Sequence, residues 1–238
     1  MTTSSTWVAM TTYPASSASD ELLARVKTNL GALRTRVAAS APDPSAVRIV
    51  AVTKTFGLDV VAAAVSLGLF DVGENYLNEL ESKRAASDDR IRWHYLGAVQ
   101  TNKIARLCRV ADVLCGVSRE KELEHIARCD ATPGLYIQVD YTGAAERNGA
   151  MPSEVSALVA RAGALDLDVR GLMTVAPANP QGARVAFRDT RHLVDDLGLD
   201  ECSMGMSEDL EIACELGTTE IRVGRALFGE RVVPGTLA

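Results

Sequence analysis

The stretch Arg48-Ile-Val-Ala-Val-Thr-Lys54 carries four apolar residues and a threonine between two charged residues. Such a run is typical of a buried strand, and the residues after it predict that the chain turns into a loop at Lys54. A lysine at the end of a strand is usually solvated. If it faces a pocket instead, partial desolvation makes its amine lose its proton more easily, and the amine can then attack a carbonyl group.

Short apolar runs alternate with amphipathic segments of helical spacing outward from this strand, and an amphipathic helix over 20–39 precedes it. The predicted strands are 48–54, 69–73, 91–96, 112–115, 134–140, 167–173, 201–204 and 220–223; the predicted helices between them are 58–67, 76–84, 101–110, 119–128, 152–163, 180–197 and 207–216. Eight strands in such alternation indicate an α/β fold, a single TIM-type (β/α)8 barrel with an extra N-terminal helix. An open doubly wound sheet is the alternative, although no G-x-G-x-x-G motif follows the first strand.

The composition excludes several classes of function. The net charge of −6 provides no basic surface for nucleic acid or an anionic membrane, and no apolar stretch is long enough to span a bilayer. Residues 1–18 predict a disordered tail rather than a signal peptide, and 19–238 predict one domain. Five cysteines without CxxC spacing favour reduced thiols in a cytoplasmic protein, three histidines share no metal-ligand spacing, and a monomer is the default expectation.

Two glycine-containing loops near the C-terminus carry the chemical signal. In a barrel, functional residues lie at the C-terminal ends of strands, and the loops after strands seven and eight often bind phosphate. Here those loops read Ser203-Met-Gly-Met-Ser207 and Arg222-Val-Gly-Arg225. Glycine lets the backbone approach a ligand, and the free N–H groups of a helix capped by Ser207 suit an anion. Each loop alone is equally compatible with a plain cap or turn, but the pair predicts a phosphate site.

A reactive Lys54 and a phosphate site together predict a phosphorylated aldehyde held as a Schiff base, and pyridoxal 5′-phosphate (PLP) fits this description. Arg222 would then face the pyridine nitrogen and weaken the cofactor as an electron sink, while a salt bridge with an acidic neighbour is an equally open interpretation. Glu74 is either an acid in the pocket or a hydrogen-bonding partner of a neighbouring loop. His94 is expected to pack inside the barrel rather than act as a base.

The chain resembles the pyridoxal phosphate homeostasis proteins, which are similar to the barrel domain of alanine racemase. The resemblance extends over about 20–231 and rests on AVTK at 51–54, GENY at 73–76, WHYLG at 93–97, QTNK at 100–103, GLMT at 171–174, SMGMS at 203–207 and IRVGRALFG at 221–229. It implies that Lys54 forms the Schiff base, with no catalytic residue and no metal ligand. The implied cofactor-binding residues are Lys54, Asn75, Met173, Ser203, Met206, Arg222, Gly224 and Arg225.

Two positions depart from the family pattern. Relatives often have a lysine in the loop before the helix at 152–163, where this chain has Arg147, so the lysine that would serve a second aldehyde site is replaced. The residue after Gly224 is often small and hydroxylated, but here it is Arg225, so its backbone N–H is the expected phosphate contact.

The resemblance implies a non-catalytic protein of vitamin B6 homeostasis that carries or buffers PLP, with PLP-dependent apo-enzymes as candidate recipients. A PLP-dependent amino-acid racemase is the alternative. Racemisation needs an acid or base on each face of the substrate, and the sequence after Gly229 is expected to be too short for the second domain that supplies one in alanine racemase. A phosphosugar isomerase with Glu74 as its base ranks last.

Overall fold

A computed structural model describes residues 18–144 and 146–230 of the protein. They contain a closed parallel barrel with the strand order β1 to β8. The strands are β1 (Arg48–Val52), β2 (Asp71–Glu74), β3 (Arg92–Tyr95), β4 (Val113–Val117), β5 (Gly134–Val139), β6 (Val169–Thr174), β7 (Glu201–Ser203) and β8 (Glu220–Val223). The pairing of β1 with β8, from Arg48↔Glu220 to Ala51↔Val223, closes the barrel. The predicted (β/α)8 barrel is therefore confirmed, and the open sheet is wrong.

Helices surround the barrel on its outer side. They are α1 (Asp20–Ser40), α2 (Leu58–Ser66), α3 (Leu77–Ala85), α4 (Ile104–Val110), α5 (Glu120–Ile126), α6 (Pro152–Ala164), α7 (Pro180–Asp196), α8 (Leu210–Glu215) and α9 (Arg225–Phe228). The predicted helix at 207–216 begins only at Leu210, because Asp209, not Ser207, is its N-cap residue. The predicted strand ending at Lys54 stops at Val52, so Lys54 lies in the turn beyond it.

The predicted N-terminal helix is α1, which packs over the seam between β1 and β8. Ser19 caps it, and its hydroxyl accepts a hydrogen bond from the N–H of Leu22 at 3.2 Å. Apolar residues spaced three and four apart form its buried face: Leu22, Val26, Leu30, Leu33 and Val37. They share a core cluster with Ala51 of β1 and with Ile221 and Val223 of β8. The apolar face of α1 therefore covers the outer side of these two strands.

The interior of the barrel is strongly polar at its N-terminal end, in contrast to the branched aliphatic layers common in this fold. Arg48 donates to Glu220 at 2.9 Å and also pairs with Glu201. His94 is fully buried, as expected, and its Nε2 lies 2.8 Å from Asp71. We call Arg48, Asp71, Arg92, His94, Tyr136, Glu201 and Glu220 the basal network.

Two sequence expectations concern the ends and the environment of the chain. The predicted tail, except for residue 18, lies outside the described residues, and the domain limits 19–238 stay a prediction. Within 18–144 and 146–230, no helix has the length and apolar character that crossing a membrane requires.

Candidate functional site

A cavity of about 480 Å³ opens at the C-terminal end of the barrel. Residues from the ends of five strands line it. Seven of the eight residues predicted to bind a cofactor lie in its wall, namely Lys54, Asn75, Met173, Met206, Arg222, Gly224 and Arg225. The barrel thus brings together side chains that are far apart in the sequence, and their roles toward a ligand stay a prediction.

Lys54 lies in the cavity wall and is partly buried, so the fully solvated interpretation is wrong. It belongs to a tight turn in which the N–H of Phe56 donates to the carbonyl of Thr53 at 3.0 Å. Thr55 has a left-handed φ of 65°, and its N–H donates to Glu79 at 2.7 Å. This carboxylate on α3 stabilises a backbone conformation that is strained for a β-branched residue.

Glu74 supports this turn from beneath and is not in the cavity wall. Its buried carboxylate accepts hydrogen bonds from Thr53 Oγ1 and from Lys83 Nζ, both at 2.6 Å. Lys83 also donates to the carbonyl of Thr53 at 2.8 Å. Burial raises the pKa of Glu74, although Lys83 and Thr53 oppose the shift. Glu74 is therefore a hydrogen-bonding partner of the neighbouring turn. Because it is not in the cavity wall, it does not fit the role of base in a phosphosugar isomerase.

The two loops that the sequence predicts to bind phosphate are hydrogen-bonded to each other at the rim of the cavity. Ser207 Oγ accepts from the N–H of Ala226 at 3.3 Å, and Arg225 donates to Glu208 at 2.5 Å. A Cβ at Gly224 would lie only 3.1 Å from the carbonyl of Val52, which explains the need for glycine there. The N–H of Arg225 lies in the first turn of α9, where such groups have no partner within the helix.

Arg222 is buried at the base of the cavity, and its guanidinium has two hydrogen-bond acceptors. Its guanidinium donates to Ser203 Oγ and to the carbonyl of Thr174, both at 2.7 Å. Burial lowers the pKa of Arg222, while the negative charge of Glu220 opposes that shift. Glu220 is bonded through Ser203 rather than directly, so the interpretation as a simple salt bridge is not what the structure contains.

Ser203 is the one predicted residue that the structure places elsewhere. It is fully buried, it is not in the cavity wall, and its hydroxyl donates to Glu220 at 2.6 Å. The short strand β7 ends at Ser203 with the side chain directed into the barrel. The hydroxyl at the rim is that of Ser207, for which the sequence predicted only a capping role.

The sequence predictions missed a second side of the cavity. The loop after β6 provides an apolar wall of Val175, Ala176, Pro177 and Ala178. Arg147 also lines the cavity and donates to the carbonyl of Val175 at 2.9 Å. Apolar loop residues have no sequence pattern that indicates a binding site. Arg147 stands out in the sequence only because it departs from the family pattern.

The residues present fit PLP. An amine and a guanidinium lie in the wall together with apolar side chains of Val52, Leu96 and Met173, which suit a flat ring. The rim provides a hydroxyl and helix N–H groups suited to phosphate. Within the described ranges, no group of histidine, cysteine and acidic side chains is arranged to hold a metal ion.

Comparison with known proteins identifies the family of the chain. The chain matches the family described as alanine racemase, N-terminal domain, over residues 22–232. It is 38% identical over 212 residues to a pyridoxal phosphate homeostasis protein of Pseudomonas aeruginosa, covering 84% of this chain and 92% of that protein. A protein of the same name from Deinococcus radiodurans is 35% identical over 205 residues, which cover 84% of this chain and 97% of that protein.

Solved structures show the same similarity. PipY of Synechococcus elongatus, determined with PLP bound, has a TM-score of 0.75 and 28% identity, covering 86% of this chain and all of that one (100%). Alanine racemase of Corynebacterium glutamicum, at 19% identity and a TM-score of 0.69, shares the fold over 90% of this chain and 63% of its own. The chain therefore belongs to the alanine racemase N-terminal domain family and, within it, to the pyridoxal phosphate homeostasis proteins.

Proposed function

We propose that this protein binds PLP covalently through Lys54 and acts in PLP homeostasis as a carrier or buffer without substantial turnover. The observation that carries the proposal is the joint presence of Lys54, Arg222 and the loops at Ser207 and Gly224 around one cavity. When bound, PLP supplies an aldehyde that condenses with an amine. Apo-enzymes that require PLP are the proposed recipients.

Each residue has a proposed task. Lys54 is the attachment point, Asn75 and Met173 contact the ring, and Arg222 faces the ring nitrogen. The rim holds the phosphate through the N–H of Arg225 and through Ser207. The close approach of Gly224 to Val52 supports this arrangement, because a side chain at that position would push the rim outward.

Two features favour holding over turnover. A cation at the ring nitrogen disfavours its protonation, and an unprotonated ring withdraws electrons less strongly. In addition, the described cavity wall contains no tyrosine and no histidine, and its carboxylates are already hydrogen-bonded. Glu208 bonds Arg225, and Asp209 accepts from the N–H of Met206 at 2.6 Å. An acid or base for the second face of an amino-acid substrate is thus lacking among these residues.

The test is the absorption spectrum of the purified protein with PLP, before and after borohydride. We expect a Schiff-base band that borohydride abolishes, with the added mass on the peptide that contains Lys54. Lys54→Ala should lose both the band and the added mass completely. Lys121→Ala, which removes an exposed lysine on α5, is the matched control and should keep both. A wild-type protein that takes up no PLP would contradict the proposal.

A second assay separates the carrier from a racemase. The PLP-loaded protein is incubated with L-alanine and other L-amino acids, and the products are analysed for D-enantiomers. We expect none above the level formed by free PLP. Turnover that depends on Lys54 would contradict the non-catalytic role while leaving PLP binding intact.

A further inference from the structure

A continuous line of buried side chains connects the cavity to the basal network. Arg222 lines the cavity, and its guanidinium donates to Ser203 Oγ at 2.7 Å. The same hydroxyl donates its own proton to Glu220 Oε1 at 2.6 Å. Ser203 and Glu220 are fully buried, and Arg222 is 6% exposed. A hydroxyl suits the middle position because it accepts one hydrogen bond and donates another.

The far end of this line is held in place. The second carboxylate oxygen of Glu220 accepts from Arg48 Nη2 at 2.9 Å and from Arg48 Nε at 3.1 Å. Tyr136 OH lies 3.4 Å from that oxygen, and His94 Nδ1 lies 3.9 Å from it. Both oxygens of Glu220 are therefore bonded, and its orientation leaves one oxygen directed at Ser203.

The charges along the line support each other. Burial alone would raise the pKa of Glu220, but His94, Ser203 and Arg48 lower it below its ordinary value, so the carboxylate stays ionised. Burial lowers the pKa of Arg222, and Glu220 is the first group that opposes this shift. The other groups that act on Arg222 are Cys115, Asp209 and Tyr136. An ionised Glu220 thus favours a charged and immobile guanidinium.

We propose that Glu220, acting through Ser203, is a positioning residue that fixes the Arg222 guanidinium at the base of the cavity. This inference rests on the proposed function, because the fixed cation would then face the ring nitrogen of PLP. Thr174 supplies the second acceptor, and together the two bonds define the plane of the guanidinium. Without this line, the bond to the carbonyl of Thr174 would remain, but a single bond does not define the plane of the guanidinium, and its effect on a bound ring would be weaker.

The direct test is NMR of the arginine side chains in the full-length protein, with and without PLP. A guanidinium with two short hydrogen bonds should give resolved, slowly exchanging Nη protons, and Arg222→Lys identifies them by their loss. In Ser203→Ala and Glu220→Gln, the Nη2 proton that is bonded to the carbonyl of Thr174 should stay slow. We expect the same two variants to abolish the slow exchange of the Nη1 proton that is bonded to Ser203. Ser203→Thr, which keeps the hydroxyl, should retain it. Glu201→Gln is the matched control, since Glu201 bonds Arg48 and Tyr136 but has no bond to Ser203.

The NMR results on the variants test the roles of Ser203 and Glu220 separately. Slowly exchanging Arg222 Nη1 protons that survive in Ser203→Ala would overturn the proposal. Their survival in Glu220→Gln with loss in Ser203→Ala would leave Ser203 alone as the positioning residue and overturn the part assigned to Glu220. If Glu220→Gln does not fold, the pair of Ser203 variants still decides, because alanine and threonine at this position differ in the hydroxyl.

A second measurement keeps this inference separate from the proposed function. In Ser203→Ala, bound PLP should dissociate roughly tenfold faster, the effect expected when a hydrogen bond to a charged group is lost. Borohydride should still fix PLP on Lys54 in this variant. Wild-type protein that binds no PLP would contradict the proposed function, yet the NMR result on the unloaded protein would still report on the line from Glu220 to Arg222.

Discussion

The two ends of the barrel interior carry similar charges but use them differently. At the basal end, Arg48 is matched by Glu220 and Glu201 from the chain itself. At the cavity end, Lys54 and Arg222 line the wall, while the carboxylates there are bonded to Arg225 and to a backbone N–H. The difference teaches that the basal arginine is enclosed by carboxylates inside the barrel, whereas an amine and a guanidinium at the other end line a cavity that can admit an anionic ligand.

Among substitutions at the two ends of the barrel, removal of the Glu220 carboxylate should lower the free energy of unfolding the most. Glu220→Ala removes the buried carboxylate that pairs with Arg48 directly and bonds Arg222 through Ser203, so we expect the free energy of unfolding to fall by about 3–5 kcal/mol. The matched variant at the cavity end is Glu208→Ala, whose ion pair with Arg225 is exposed. It should cost less than about 1 kcal/mol. Urea unfolding of the PLP-free proteins measures both; equal losses would show that the two ends do not differ.

The dependence of stability on pH sharpens the same contrast. The folded pKa of Glu220 lies below its ordinary value, so its contribution is present above an unfolded pKa of about 4.3 and is lost as pH falls through the folded pKa. We expect wild type to lose stability on acidification below about pH 4.3 more steeply than Glu220→Gln. Urea titrations between neutral and acidic pH provide the measurement.

Glu74 provides the control of opposite sign. Burial raises the folded pKa of Glu74 above its ordinary value, so folding favours the protonated form. Its contribution to stability is present below the unfolded pKa of about 4.3 and declines as pH rises from there through the folded pKa. Glu74→Gln should therefore lose less stability than wild type as the pH rises through this window. Identical pH profiles for Glu74→Gln and Glu220→Gln would contradict the assignment of the two carboxyls.

The smallest expected effect concerns Arg225 at the rim. Its guanidinium pairs with Glu208 at the surface, and its backbone N–H is the proposed phosphate contact. Arg225→Ala should thus change the affinity for PLP by less than about threefold, since an exposed ion pair contributes little. Gly224→Ala is the comparison, because its Cβ would approach the carbonyl of Val52 and displace the rim. A titration followed by absorbance distinguishes them, and an equal loss in both would assign a direct role to the Arg225 side chain.

Several elements of the fold and site could be predicted because their signals are local. Alternation of apolar runs with helical spacing predicted the barrel, and most helix limits agree with the structure to within a few residues. The position of Lys54 after the first strand and the glycine loops near the C-terminus indicated the cavity wall. Capping was less predictable: Asp209 took the N-cap position expected for Ser207 without a side-chain capping bond, because its carboxylate accepts from the N–H of Met206 and the hydroxyl of Ser207 accepts from the N–H of Ala226.

The missed features depend on contacts between distant residues. Lys83 has no local sequence signal that indicates burial, but in the structure it is buried against Glu74 and the carbonyl of Thr53. Ser203 reads as part of a phosphate loop, but it lies below the cavity between Arg222 and Glu220. Periodicity shows that a residue belongs to a strand, not which side chain from another strand it meets.

The sequence by itself determined the order of strands and helices, the strand-end lysine and the pair of glycine loops, because these follow from spacing and residue type along the chain. Only the tertiary structure decided which charges neutralise each other. Barrel closure places Arg48 of β1 against Glu220 of β8, 172 residues apart, and so leaves one carboxylate oxygen for Ser203, which in turn bonds Arg222. The physical reason is that a buried charge is stabilised by its neighbours in space, and these are set only when the first and last strands pair.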